Sequence, residues 1–229
     1  MKFIFRVNPL YVLLHALNAS QKREPFWGWY RFANHIWERS PGLFYFMSGQ
    51  PEASLYLKQN RLSPIAQQAD RLLRKTMSTP QVQRLVKETE NYRKSVESQM
   101  ENNQHRASSI VQDLFGRKLP SKTVTVFLTH PNLNNGMTVD GNVIVWGHPE
   151  EYPNYSTVYI FHEAMHIITK HDDSPEMHAA IELLTDNELR IRLNGTGKYF
   201  DFPGHGELQQ LERAMLCPVL RALYSDQHA

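Results

Sequence analysis

The sequence predicts an α+β protein with a helical N-terminal half, and three observations carry that prediction. Apolar residues recur at helical spacing through most of the chain, in runs punctuated by proline and asparagine. Between Lys122 and Trp146 the period changes to two, the mark of strands half-buried on one face. After Trp146 the helical period returns in an unusually apolar form. The order is therefore helices, a small sheet, then helices again, with a helical region at 1–118 and a second region at 119–229.

Length and composition narrow the class before any motif is considered. A chain of 229 residues can bury a proper core as one domain, or as one domain with an appendage. The formal charge of +2 gives no electrostatic case for nucleic acid or for an anionic membrane surface. The lone cysteine, Cys217, excludes an intrachain disulfide framework and a thiolate metal cluster. It fits a reducing compartment, and a cytoplasmic location is expected. No stretch approaches the ~20 apolar residues of a membrane span.

Taken in order, residues 1–20 start with an apolar run that Arg6, Asn8, Pro9 and His15 break before it reaches the length of a signal-peptide core. A capped amphipathic helix beginning near Asn8 and Pro9 is expected instead. Large rings cluster over residues 26–37 as core aromatics, and two helices, 51–60 and 64–77, each open with a proline. Residues 80–115 are long, polar and charged. Val82, Leu85, Val86, Tyr92, Val96, Met100, Ile110, Val111 and Leu114 give them one thin apolar stripe. That pattern predicts one long helix, or two broken near Asn102 and Asn103, packed along a single face. Gly116 and Pro120 end it.

Residues 122–129 alternate as a strand does, and a turn-rich stretch follows at 131–136. Residues 137–139 and 143–146 then flank Asp140-Gly141-Asn142, a strong hairpin signal. A small, mostly antiparallel sheet is expected, with 143–146 as its edge.

The helix predicted over 154–170 carries His162-Glu163-Ala164-Met165-His166. Histidines four apart stand one turn above each other on one face, so their ring nitrogens can converge on a single ion. At roughly 100° per residue, Tyr159, His162, Glu163, His166 and Lys170 share about a quarter of the circumference. The remaining surface is apolar: Val158, Ile160, Phe161, Ala164, Met165, Ile167 and Ile168. This is a core helix exposing one polar stripe, whereas accidental histidine pairs lie on solvated helices. The competing account is two core histidines satisfied by backbone carbonyls. Two imidazoles beside a carboxylate are what a zinc hydrolase needs: ligands, and a base for the water on the metal.

On these residues the chain resembles the zincin metallopeptidases, whose signature is His-Glu-x-x-His. The metzincin branch would need glycine and histidine three and six residues after His166, where Thr169 and Asp172 stand. A related variant would use Asp172 as ligand but also expects that glycine. His171 would lie roughly 140° round from His166 on a continuing helix, a poor place for a ligand. A second helix is predicted from the cap Ser174 and Pro175 to the stop at Asn194-Gly195. It stacks Glu182 and Asp186 on one face, similar to the Glu-x-x-x-Asp of gluzincins.

The resemblance implies a zincin-like catalytic part within 119–229, built from the small sheet, the motif helix and a ligand helix. It implies a bound Zn2+ held by His162, His166 and Glu182, with Asp186 accepting a hydrogen bond from the far nitrogen of His162. Glu163 would be the general base. The sheet edge, with Val143, Ile144, Val145 and Trp146, would align an extended substrate by main-chain pairing. Tyr199 and His205, in the loop 198–206, are candidates for stabilising the oxyanion. Asp186, Glu188, Asp172 and His178 stay open as alternative third ligands, although Glu188 with Arg192 has the spacing of an ordinary surface pair. Residues 207–224 are expected to form a closing amphipathic helix kinked at Pro218.

The function these features predict is a zinc-dependent peptidase acting on peptide or protein substrates. Two other classes fit the same residues: a zinc-site protein without turnover that serves regulation or assembly, and a metal-dependent hydrolase of non-peptide amides. Glu163 speaks against the former, because a purely structural site has no use for a base there.

Overall fold

The strand-forming residues assemble into one four-stranded mixed sheet. A computed structural model of the chain describes residues 1–19, 67, 71, 74–116, 118–172 and 174–199. The aromatic cluster at 26–37, the helix expected at 51–60, most of that at 64–77, His205, Cys217 and the closing helix at 207–224 lie outside the described residues. In chain order the elements are β1 (Lys2–Arg6), α1 (Pro9–Ala19), α2 (Pro80–Phe115), β2 (Thr123–Leu128), a 3-10 turn (Pro131–Leu133), β3 (Asn135–Asp140) and β4 (Val143–Gly147). Then follow α3 (Tyr155–Ile168), α4 (Pro175–Glu182), a π-helical turn (Leu183–Leu189) and α5 (Arg190–Asn194).

Two expectations about the sheet are corrected. It is mixed, not mostly antiparallel, because β1 pairs with β2 and β2 with β4 in parallel, leaving only β3–β4 antiparallel. Asp140-Gly141-Asn142 does make the predicted hairpin, with Gly141 at φ +57°. That hairpin folds β4 back between β3 and β2, so residues 143–146 are interior and β3 is the end strand among the described residues. The unbroken apolar run from Val143 to Trp146 has this cause, since a strand paired on both sides and covered on both faces has no polar side to show. Ile144, Val145 and Trp146 are buried. β1 lies inside the region expected to be helical: its five residues, three apolar ones between Lys2 and Arg6, show no alternation and are too few to mark a strand beside the capped α1.

The long polar segment is a single 36-residue helix with no break at Asn102–Asn103. Asn103 is held there, donating to Gln99 O at 2.8 Å and to Asn154 Oδ1 at 2.9 Å. Its buried residues, among them Val82, Leu85, Val96, Met100, Val111 and Phe115, form one face, and Gly116 closes it in the left-handed conformation at φ 73°. Phe3 of β1, Val96 and Val111 of α2, Val124, Ile144, Phe161 and Leu184 belong to one hydrophobic cluster. Sequence on both sides of residue 119 therefore contributes to the core beneath α3. Among the described residues no helix is long and apolar enough to cross a membrane.

In α1, His15 is buried beside Tyr11, ring centroids 4.3 Å apart, with Asn135 Nδ2 3.3 Å from its Nδ1. Burial lowers its pKa from the ordinary 6.5 to about 4, so the folded chain refuses a proton that the unfolded chain accepts. Stability is then unaffected by this group above pH 6.5 and declines as the pH falls towards 4, by about 3 kcal/mol at most. Urea midpoints measured from pH 7 to pH 4 should show this decline, and His15→Gln should remove His15's share of it.

Candidate metal centre

The site begins with the burial of α3. Tyr155, Ser156, Thr157, Val158, Ile160, Phe161, His162, Ala164, Met165, Ile167 and Ile168 are all buried, leaving Tyr159, Glu163 and His166 on the one partly open side. Gln99 of α2 fixes the start of the helix, its Oε1 accepting from Thr157 N at 2.8 Å and Thr157 Oγ1 at 3.0 Å. The apolar residues thus fix the rotation of α3, and that rotation turns the motif towards a cleft of about 660 Å³. Residues 136–139 of β3 wall one side; His162, His166, His171, His178 and Glu163 wall the other.

His162 and His166 meet through their Nε2 atoms, 3.3 Å apart. Two nitrogens each about 2.05 Å from a tetrahedral zinc ion lie about 3.3 Å from one another, so the pair already has the spacing of two ligands on one ion. The far nitrogen of His162, Nδ1, lies 3.1 Å from Asp186 Oδ1 and 3.3 Å from Thr185 Oγ1. A carboxylate at Nδ1 holds the proton there and leaves the Nε2 lone pair for an ion. Burial disfavours a charged His162, but the charge and hydrogen bond of Asp186 outweigh it and raise the pKa.

A third imidazole comes from α4. His178 places its ring 5.7 Å from that of His162 and 5.4 Å from that of His166, centroid to centroid. The ligand atoms of the three imidazoles all fall within 4.8 Å of one another, close enough to hold a metal ion. Glu182, expected as the third ligand, lies beside His178, with Oε1 3.4 Å from His178 Nε2. The carboxylates of the Glu-x-x-x-Asp pair thus each face a histidine: Asp186 faces His162, and Glu182 faces His178.

The ligand helix is not one regular α-helix, as the sequence suggested, but widens into a π-helical turn at Leu183–Leu189. More residues per turn bring neighbouring side chains closer in angle, and adjacent Thr185 and Asp186 both reach Nδ1 of His162. Thr185 Oγ1 is also 3.0 Å from Asp186 Oδ1. Buried Arg190 donates from Nε to Asp186 O at 2.6 Å and, through a terminal nitrogen, to Lys198 O.

Glu163 is half-buried, and Thr138 Oγ1 donates to its Oε2 at 2.8 Å. Burial raises its pKa, against the opposing pull of His162 and the Thr138 hydrogen bond. A Cβ at Gly136 would meet the Trp146 ring at 2.8 Å and Glu163 Oε1 at 4.0 Å, so glycine there leaves room for the indole beside the motif.

Other predicted residues lie elsewhere. Val143 is half-buried and Ile144, Val145 and Trp146 are buried inside the sheet, so the strand bordering the cleft is β3. Tyr199 is half-buried and packs against the main hydrophobic cluster, away from the cleft wall. Asp172 is engaged in the turn that opens α4, its Oδ1 accepting from Ser174 N at 3.0 Å, and Glu188 pairs with Arg192 at 2.9 Å. His171 does reach the cleft, because the helix stops at Ile168 and Lys170 and His171 take φ 57° and 61°. Thr138 and Thr185 had no local signal. Only sheet order sets the first beside Glu163, and only the π turn brings the second to His162.

Asp186→Asn tests the tautomer argument, since an amide can offer Nδ1 of His162 a donor instead of an acceptor. Zinc affinity, read by competition with a chelator, should weaken about 10–100-fold; an unchanged affinity would mean that Asp186 does not orient His162. Comparison with protein-family models, with curated proteins and with solved structures finds no match to this chain.

Proposed function

We propose that this protein is a zinc-dependent peptidase of the gluzincin-like kind that its motif resembles. The observation that carries the proposal is the convergence of His162 and His166, Nε2 atoms 3.3 Å apart, with Glu163 beside them at the wall of an open cleft. Zinc, when bound, supplies an acidified water and a Lewis-acid contact for a substrate carbonyl. His162 and His166 would hold the ion, with His178 as the third ligand and Glu182 as the carboxylate beside it. A second reading makes Glu182 the ligand. Asp186 on His162 favours it, being where a Glu-x-x-x-Asp pair would put its second acid.

Glu163 takes a proton from the attacking water and returns it to the leaving amine. Burial suits it to that work, because raising a carboxyl's pKa makes the carboxylate a better proton acceptor. β3 aligns the substrate: it is the end strand among the described residues and borders the cleft, so an extended peptide can add to it by main-chain pairing. Met137 and Val139 stand ready to meet its side chains. The lone cysteine keeps a reducing, cytoplasmic setting as the proposed location.

The test is zinc-loaded protein incubated with a mixed peptide library. Cleavage is expected from the wild type, and Glu163→Gln should retain zinc while losing about 10²–10⁴-fold in rate. His178→Ala should weaken zinc binding by more than the about 10–100-fold expected for loss of an outer partner in Glu182→Gln. The reverse order would move the third ligand to Glu182. A zinc-loaded wild type that cleaves no peptide would overturn the peptidase assignment.

A further inference from the structure

Thr138 stands where the strand proposed to align the substrate meets the proposed base. Its hydroxyl is 2.8 Å from Glu163 Oε2 and 3.0 Å from the main-chain oxygen of the same residue. The hydroxyl has one proton to donate, shared between these two acceptors with the carboxylate oxygen the nearer, and it braces the carboxylate against the backbone of α3. A free glutamate side chain has about 1.5–2 kcal/mol of rotamer entropy to lose, so an unanchored base would sample the cleft instead of one position. Threonine suits the task because its branched Cβ restricts χ1 and so fixes the direction of the hydroxyl.

The backbone at this point is also shaped for it. Thr138 pairs with Ile144 and Asp140 with Val143, which leaves Val139 as an extra residue, a β-bulge just after Thr138. Bulges disturb the ladder locally and re-aim side chains beside active sites. Among the described residues Oε1 of Glu163 accepts no hydrogen bond, so one carboxylate oxygen is anchored and the other is left to receive a proton.

We propose that Thr138 is a positioning residue that holds the Glu163 carboxylate for proton transfer and ties the base to the strand on which substrate is laid. This role rests on the peptidase assignment above. It differs from a simple cross-link between β3 and α3 in what it predicts for turnover.

Two measurements on the full chain test it. In metal-free protein, Thr138→Val should lower the urea midpoint more in the wild-type background than in a Glu163→Ala background, because only the former loses the bond to the carboxylate while the main-chain acceptor is present in both. In zinc-loaded protein, with a peptide that the wild type cleaves, Thr138→Val should lower kcat about 10–100-fold. KM should stay within about twofold and zinc content should be unchanged, since the hydroxyl acts on the base alone. Thr138→Ser should restore kcat. Coupling in the urea experiment with an unaltered kcat would reduce Thr138 to a structural tie and overturn the proposal, as would an absence of coupling. A wild type that binds zinc and cleaves nothing would remove the peptidase assignment, and this role with it, whatever the coupling.

Discussion

A helix that is apolar around most of its circumference can be stable only when neighbours cover nearly every side, and α3 imposes that demand on the rest of the molecule. The sheet, α2 and the ligand helix all contribute to the cluster that buries it. What they leave partly open is the stripe with Tyr159, Glu163 and His166, while His162 is buried at its edge. The packing therefore sets the rotation of α3, and through it the meeting point of the two imidazoles. Loss of any covering element would free that rotation before it touched a polar contact.

Burying imidazoles next to each other also creates an electrostatic demand. Neutral histidines can share a low-dielectric pocket, but protonated ones repel and must be desolvated. Asp186 answers this at His162 by fixing a proton on Nδ1, and Glu182 lies in a matching position against His178. The arrangement sets three imidazoles and one carboxylate, Glu163, along the wall of the cleft that faces β3. That division of labour separates holding an ion from moving a proton, and hydrolysis needs both.

The parts of this organisation written in local sequence were legible, and the parts that depend on chain crossing were not. The cap at Ser174, the stop at Asn194-Gly195, the hairpin at Asp140-Gly141 and the orientation of the His162/His166 face all follow from residue spacing and side-chain type. Strand order does not. Nothing in residues 2–6 announces that they pair with Thr123–Phe127, and the unbroken apolar run of β4 says that both its faces are covered without saying which strands flank it. The same blindness hid Thr138, whose partner lies across the sheet edge. His171 reaches the cleft through two consecutive left-handed residues without glycine, an uncommon turn that spacing does not signal, and it stays outside the three-histidine cluster as expected. The π turn under Asp186 has no compositional mark either, since Leu-Leu-Thr-Asp-Asn-Glu-Leu is ordinary helical sequence.

The proposed chemistry requires a divalent ion at the meeting point of His162 and His166. A crystal of the zinc-soaked protein, with anomalous scattering recorded on either side of the zinc edge, would locate that ion. One strong peak is expected about 2.0–2.1 Å from Nε2 of both histidines, with a third protein ligand from α4. A peak elsewhere, or none at a zinc concentration that saturates binding in solution, would contradict it.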